Sequence, residues 1–259
     1  MKDEAASLVD HLTELRKRII WVLTVLVLTM IGGFFAAKPL ILYLVSVEPA
    51  ASMNMPLNTF SPWDAIRIFM QFAFAVGLCV SLPFALFQFW LFVKPGLTEV
   101  EHTAALRYIP GSVLLFLMGF SFGYFIVFPM AFYFTSEVTK SLGLTETYGI
   151  AQYFTFMFNI VLPMSVLFEL PVVVMFLTKI RVLNPIRLKK IRKFAYMILV
   201  VVATFVTPPD FISDILVAIP LIILYEVSVL LSGVIYRKQL EQKRKWEEEY
   251  GEGPAPLVD

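Results

Sequence analysis

Runs of about twenty residues without Asp, Glu, Lys or Arg recur along this chain, separated by short charged segments. Six are legible, at 19–37, 68–93, 108–136, 150–178, 194–209 and 214–235. Crossing a hydrocarbon layer of roughly 30 Å takes about 20 residues, so each of the first four runs predicts a membrane span. Glu169 alone interrupts the fourth run, and Glu226 sits in the middle of the sixth. The fifth run is short, rising only about 24 Å at the helical pitch, and ends in Thr207-Pro208-Pro209-Asp210. Proline cannot continue a hydrogen-bonded ladder, so this sequence predicts a tight reversal into the sixth helix.

Ahead of the first run, Leu8, Leu12, Leu15 and Ile19 share one helical face, with Asp10, His11, Glu14 and Arg18 on the other side. This predicts an interfacial helix leading into the first span. The run behind it is too long for the apolar core of a cleavable signal peptide. Basic residues are sorted between the connections. Lys2, Arg16, Lys17 and Arg18 precede the first run, and Lys179, Arg181, Arg187, Lys189, Lys190, Arg192 and Lys193 follow the fourth. Arg237, Lys238, Lys243, Arg244 and Lys245 follow the sixth, whereas connections of the opposite parity hold only Lys38, Arg67 and Lys140. By the positive-inside rule both termini are expected in the cytoplasm. The expected organisation is a single membrane domain over 1–236 and a charged, solvated tail over 237–259.

Composition agrees and narrows the field. Apolar types make up 59% of 259 residues and charged types 16%, with 25 Phe, and the mean hydropathy is +0.79. An ordinary soluble domain has roughly 45–50% and 25%, so a water-soluble protein is excluded. A net charge of +1 gives no electrostatic footprint for nucleic acid. The lone Cys79 forms no intrachain disulfide. No phosphate-binding glycine loop or dinucleotide fingerprint occurs, and the two histidines, His11 and His102, have no partner cysteines for a metal cluster. Neither G-x-S-x-G nor H-E-x-x-H is present. The expectation is a protein that is not an enzyme, without cofactor or metal.

The informative residues are carboxylates in unusual places. A charged side chain at mid-membrane costs about 2.5–3.5 kcal/mol on insertion scales, so such residues face protein or a wet interior. Glu169 lies about 13 Å by helical rise from Thr178 at the end of its run. Pro171 removes the donor that the Leu167 carbonyl would use, Pro163 does the same to Asn159, and Ser165 sits one turn before Glu169. Together they form a polar, bendable strip, open to a partner, to proton coupling, or to simple packing through a protonated carboxyl. The connection over 93–103 is cytoplasmic by parity yet carries Lys94 against Glu99 and Glu101, a net of 1 − 2 = −1. With Glu14 it would suit a cationic ligand, because guanidinium pairs bidentately with carboxylate. Charge alone favours ordinary solvation there, or salt bridges to Arg16 and Arg107. Asp210 reads as a helix cap, Glu226 stays open between structure and function, and Gln71, Gln88 and Asn159 read as interhelical hydrogen-bonding groups.

In order along the chain, these residues resemble one family. His11-Leu12-Thr13-Glu14-Leu15-Arg16-Lys17-Arg18 is similar to the H-L-x-E-L-R-x-R opening of TatC, receptor subunit of the twin-arginine protein translocase. Ser81-Leu82-Pro83 with Gln88-Phe89-Trp90 resembles its second-helix pattern. Phe92-Val93-Lys94-Pro95-Gly96-Leu97, with Glu101 following, resembles its first cytoplasmic loop, F-x-x-P-[AG]-L-x-x-x-E. Phe168-Glu169-Leu170-Pro171, Thr207-Pro208-Pro209-Asp210 and Tyr225-Glu226 complete the series, and the overall pattern is nearest to Gram-positive versions. Thr98, where the family commonly has Tyr, and His102-Thr103, where basic residues are frequent, depart from it.

The resemblance implies an all-α polytopic protein of a bacterial cytoplasmic membrane, with six transmembrane helices in a cup-shaped bundle and short fifth and sixth helices. It implies that Glu14 and Glu101 bind the paired arginines of signal peptides on folded precursor proteins, which reverses the charge-only reading. It places Glu169, with Pro171, on the concave membrane face that single-span TatA-type subunits engage, and implies self-association and export driven by the proton motive force. Pro95, Pro208, Pro209 and Asp210 are read as structural, and Glu226 stays open. The rival reading is a proton-coupled small-solute transporter with Glu169 as proton carrier, although the paired repeats of such transporters are not visible. A purely structural scaffold is a third.

Overall fold

The structure, a computed structural model, describes residues 2–47, 58–93, 108–207 and 211–250. Among these residues the chain is helical, as a lipid-embedded backbone must be to satisfy its own N–H and C=O groups. The elements are α1 (Lys2–Ser46), α2 (Asp64–Val93), α3 (Tyr108–Phe122), a π-helical turn (Gly123–Val127), α4 (Phe128–Ser141) and α5 (Ile150–Leu167). They continue with α6 (Leu170–Lys179), α7 (Pro185–Lys190), α8 (Arg192–Val206) and α9 (Phe211–Tyr250). Among the described residues, five stretches are long and apolar enough to cross a membrane: Thr13–Ser46, Asp64–Phe89, Pro110–Ser141, Ile150–Lys179 and Asp214–Gln242. The short fifth run is α8, whose 15 residues rise about 22 Å.

Two helices extend beyond the apolar runs that mark them. The segment read as an interfacial helix is continuous with the first span, α1 running unbroken from Lys2 to Ser46. No Gly or Pro occurs before Gly32, so nothing in the backbone interrupts the ladder there. The charged tail is helical through Tyr250. Residues 234–250 hold neither Gly nor Pro and are rich in Glu, Lys, Arg and Gln, which favour helix even in water.

The chain packs as two compact units, the first formed by residues 1–94 and 138–159. In it α1 lies along α2 at small residues. A Cβ on Gly33 would fall 2.9 Å from Val76 Cβ and 3.0 Å from the Ala73 carbonyl oxygen, and one on Gly77 2.6 Å from Met30 Cγ. Such contacts let helices associate where lipid offers no hydrophobic driving force. Elsewhere α1 turns apolar residues outward, Trp21, Leu28 and Phe35 among them. Phe72 of α2 stacks edge-on against Phe154 and Phe158 of α5, at 4.9 and 5.0 Å between ring centres. Gln71 Nε2 donates to Thr155 Oγ1 at 2.8 Å, one of the interhelical bonds the sequence predicts; Asn159 is exposed instead. The segments entering α2 and α5 are tied by an isolated bridge between Asn58 and Gly149, and the buried Asp64 carboxylate accepts from the Phe60 and Ser61 amides.

The second unit comprises 95–137 and 160–259. Ser112, Phe116, Gly119 and Gly123 recur at helical spacing along α3 and its extension, and all four are buried. A Cβ on Gly119 would fall 2.7 Å from Phe168 Cβ and 2.9 Å from the Met164 carbonyl oxygen, and one on Gly123 3.1 Å from Val161 Cα. Gly119 and Gly123 form a G-x-x-x-G seam that the hydropathy reading passes over. At Gly123 the ladder widens: the Phe128 amide donates to the Gly123 carbonyl, the i to i+5 spacing of a π turn.

Polar bonds pin α9 to its neighbours. Thr178 and Ser232 hydroxyls meet at 2.7 Å, Tyr225 donates to the Leu188 carbonyl at 2.8 Å, and Gln239 donates to the Lys179 carbonyl at 2.8 Å. Glu226 accepts from Arg192 Nη2 at 2.7 Å and from the Tyr196 hydroxyl, both on α8. That places Glu226 in the packing of α8 on α9. Asn184 caps α7, accepting from the Ile186 amide at 2.9 Å with Pro185 behind it, the arrangement expected of a helix start.

Two substitutions test this packing. Gly119→Ala drives a methyl into the 161–168 backbone and lowers stability by about 1–3 kcal/mol. Gly111→Ala, which meets nothing within 4 Å, is neutral or slightly stabilising. Thermal unfolding of the purified protein in detergent reads both, and a Gly119→Ala midpoint at or above wild type contradicts the seam. Glu226→Gln weakens two hydrogen bonds at a half-buried pair and costs about 1–2 kcal/mol. In the Arg192→Gln background the loss shrinks, and equal losses in both backgrounds contradict the pairing.

Candidate functional site

Glu169 sits where the fourth run breaks. The helix ends at Leu167, Phe168 and Glu169 form a turn, and α6 begins at Leu170 with Pro171 in its first turn. Pro171 lacks the N–H that would bond the Leu167 carbonyl, which is why the ladder restarts here. The Glu169 amide instead reaches the Val166 carbonyl at 3.0 Å.

The side chain is 3% exposed. The Ser112 hydroxyl, from α3, donates to Glu169 Oε1 at 2.9 Å. Glu169 Oε2 is buried and has no partner among the described residues. The sequence marks Ser165 as the polar neighbour, but its hydroxyl donates back to the Val161 carbonyl at 2.7 Å. Ser112 is thus the residue that sequence reasoning misses, and its signal is the spacing of Ser112, Phe116 and Gly119 on one face. An open apolar groove of about 750 Å³, lined by Pro110, Leu114, Leu117, Phe122, Phe125 and Phe168, ends on the residue before Glu169.

A second polar group lies in the other unit. Glu14 and Arg18, one turn apart on α1, form an ion pair, with side chains 35% and 18% exposed. Arg18 Nη1 lies 3.4 Å from Gln88 Oε1 on α2. Arg16 and Lys17 are exposed, and the ion-pair partner of Glu14 is Arg18. The reason is helical spacing, since residues four apart face each other and residues two apart do not. Gln88 makes the interhelical contact expected of it.

Glu101 and Pro95 of the acidic connection, and Pro208, Pro209 and Asp210 of the reversal, lie outside the described residues. At the reversal the described carboxylate is Asp214 in the first turn of α9. It accepts from Thr207 Oγ1 at 2.8 Å and Thr204 Oγ1 at 3.4 Å, a placement the helix dipole favours and one the sequence reading passes over for Asp210. Among the described residues no group of three or more His, Cys, Asp or Glu is placed to hold a metal ion.

Residues 10–220 match the family described as Sec-independent protein translocase protein (TatC). A Sec-independent protein translocase protein TatC of Halalkalibacterium halodurans is 44% identical over 250 residues, which cover 96% of this chain and 98% of that protein. The TatCy protein of Bacillus subtilis is 44% identical over 238 residues, 92% of this chain and 93% of its own length. A crystal structure of the twin arginine translocase receptor TatC superposes with a TM-score of 0.73 at 32% identity, covering 87% of this chain and 99% of that one. Several apolar helices and this kinship make the chain a multi-pass bacterial membrane protein. With the match running through α1, the Glu169 break and into α9, the chain belongs to the TatC family of Sec-independent protein translocase proteins.

Proposed function

We propose that this protein is the receptor subunit of a twin-arginine translocation system. It binds the paired arginines of a signal peptide on a folded precursor through Glu14 and Glu101 at the cytoplasmic face. It spans the cytoplasmic membrane six times as a single domain, with α8 the short fifth span and both termini in the cytoplasm. It then assembles with TatA-type single-span subunits at the face carrying Glu169, associates with further copies of itself, and works without a catalytic step or cofactor, drawing on the proton motive force.

The observation that carries this reading is the seating of Glu169. A buried carboxylate bonded through one oxygen, with the other unpartnered, is left ready to accept from a polar group on an incoming helix. Placing it in a span is expensive, and a residue that only packed would gain by satisfying both oxygens. The adjacent groove is open and apolar, which fits a lipid-embedded helix. For Glu14, support comes from its place on the charged end of α1 and its demonstrated hold on a guanidinium. A proton-coupled solute transporter gains nothing from the comparisons, whose relatives are named as components of a protein translocase.

A paired measurement on the full-length protein separates the two sites. Glu14→Gln and Glu101→Gln each reduce capture of a twin-arginine signal peptide by about tenfold or more, the order expected when a charged hydrogen-bonded pair is lost. Glu169→Ala leaves that capture within about twofold of wild type while abolishing site-directed crosslinking to a TatA-type subunit and export. Undiminished peptide capture by both glutamine variants overturns the peptide site. Unchanged crosslinking with normal export in Glu169→Ala overturns the partner site.

A further inference from the structure

The Glu14 carboxylate already holds a guanidinium. Arg18 lies one helical turn along α1 and donates to it through Nη2, on the face where residues four apart meet. Arg18 is more enclosed than its neighbours, with 18% of its side chain exposed, while Arg16 and Lys17 are exposed. Its bonding is incomplete. Nη1 reaches the neutral Gln88 Oε1 only at 3.4 Å, near the outer limit for a hydrogen bond, and Nε is buried without a partner. A guanidinium has five N–H donors in a rigid fork, and here the described residues engage two of its three nitrogens.

These contacts place one carboxylate, one guanidinium and one neutral acceptor in a row. We propose that Arg18 is a built-in competitor for Glu14, displaced when a guanidinium of the incoming peptide takes the carboxylate, and that Gln88 is the acceptor that retains Arg18 afterwards. This rests on the reading of Glu14 as a peptide-binding residue and adds what occupies that site before the peptide arrives. The resident contact is single, Nη2 to one carboxylate oxygen, so an incoming guanidinium that engages both oxygens in a fork gains a bond that Arg18 does not make. A lysine ammonium is a compact point charge that does not match this geometry, so it displaces Arg18 poorly. Selection of arginine over lysine then lies in the carboxylate geometry, and the occupant sets how tightly any cationic ligand is held. Because the resident pair lies within one helix and is partly exposed, it is weak enough to be exchanged.

The test is binding of a twin-arginine and a twin-lysine signal peptide to the full-length protein in lipid nanodiscs, for wild type, Arg18→Gln, Gln88→Leu, the double variant and Glu14→Gln. Arg18→Gln is expected to tighten the twin-arginine peptide by about two- to tenfold, the range set by a weak competing pair. The twin-lysine peptide gains by the same factor, because a resident competitor lowers the affinity of every ligand that must displace it alike. Gln88→Leu, which strips Arg18 of its second acceptor, weakens the twin-arginine peptide, and the same change is silent once Arg18 is Gln. Arg18→Lys, which keeps the charge but not the fork, lies between wild type and Arg18→Gln and confirms that charge alone is not responsible. All variants are first shown to elute as a single species with the wild-type thermal midpoint. Two results overturn the proposal: Arg18→Gln that weakens or fails to change binding while Glu14→Gln abolishes it, or Gln88→Leu with equal effects in both backgrounds. A wild type that binds neither peptide, or a Glu14→Gln variant that binds like wild type, overturns the receptor reading and this one with it.

Discussion

A carboxylate placed inside a membrane span is held only where a donor reaches it and the surrounding protein keeps lipid away. In this chain the donor is the Ser112 hydroxyl, 2.9 Å from Glu169, and much of the second unit follows from getting it there. Ser112 lies two turns from Gly119 on one face of α3, so the close approach at Gly119 and Gly123 brings the hydroxyl within reach. The break at Phe168 and Glu169 is needed as well, because the restart at Pro171 puts a turn, rather than a continuous helix, opposite Gly119. Glycines, serine, proline and carboxylate thus form one arrangement spread over two helical segments.

Three carboxylates illustrate three degrees of satisfaction. Glu226 has a donor on each oxygen, Arg192 and Tyr196, and binds α8 to α9. Glu14 is held by one residue of its own helix, a contact weak enough to be exchanged. Glu169 has one bonded oxygen and one buried without a partner. Fully paired groups fix a fold, whereas incompletely paired ones are where a ligand or partner has something to gain. The proposed functions of Glu14 and Glu169 follow that ordering.

Hydropathy alone locates the helices, because a lipid-embedded helix must be apolar on all sides and that pattern is local. The apolar runs stop short of the ends of α1 and α9, where charged but helix-favouring residues continue the ladder. It also identifies Glu169 as exceptional, since a lone carboxylate in a charge-free run is visible without any structure. What it cannot supply is the partner of each polar group. Ser165 looks like the neighbour of Glu169 on one helix, yet its hydroxyl is spent on its own backbone while Ser112 comes from 57 residues away. The pairing of Glu14 with Arg18 is local and legible from spacing, but the approach of Gln88, 70 residues on, is tertiary. Asp214 was hidden by the more conspicuous Asp210 beside two prolines, and the G-x-x-x-G seam by the surrounding aromatic residues.

The central claim is that this membrane protein receives folded cargo by its paired arginines. The most direct measurement is export of a folded reporter, carrying either a twin-arginine or a twin-lysine signal, in a bacterium lacking its own TatC and supplied with this chain and a TatA-type subunit. The predicted result is that the twin-arginine reporter reaches the far side of the membrane and the twin-lysine reporter stays in the cytoplasm. Export of both reporters alike, or of neither with the chain present and correctly inserted, would contradict it.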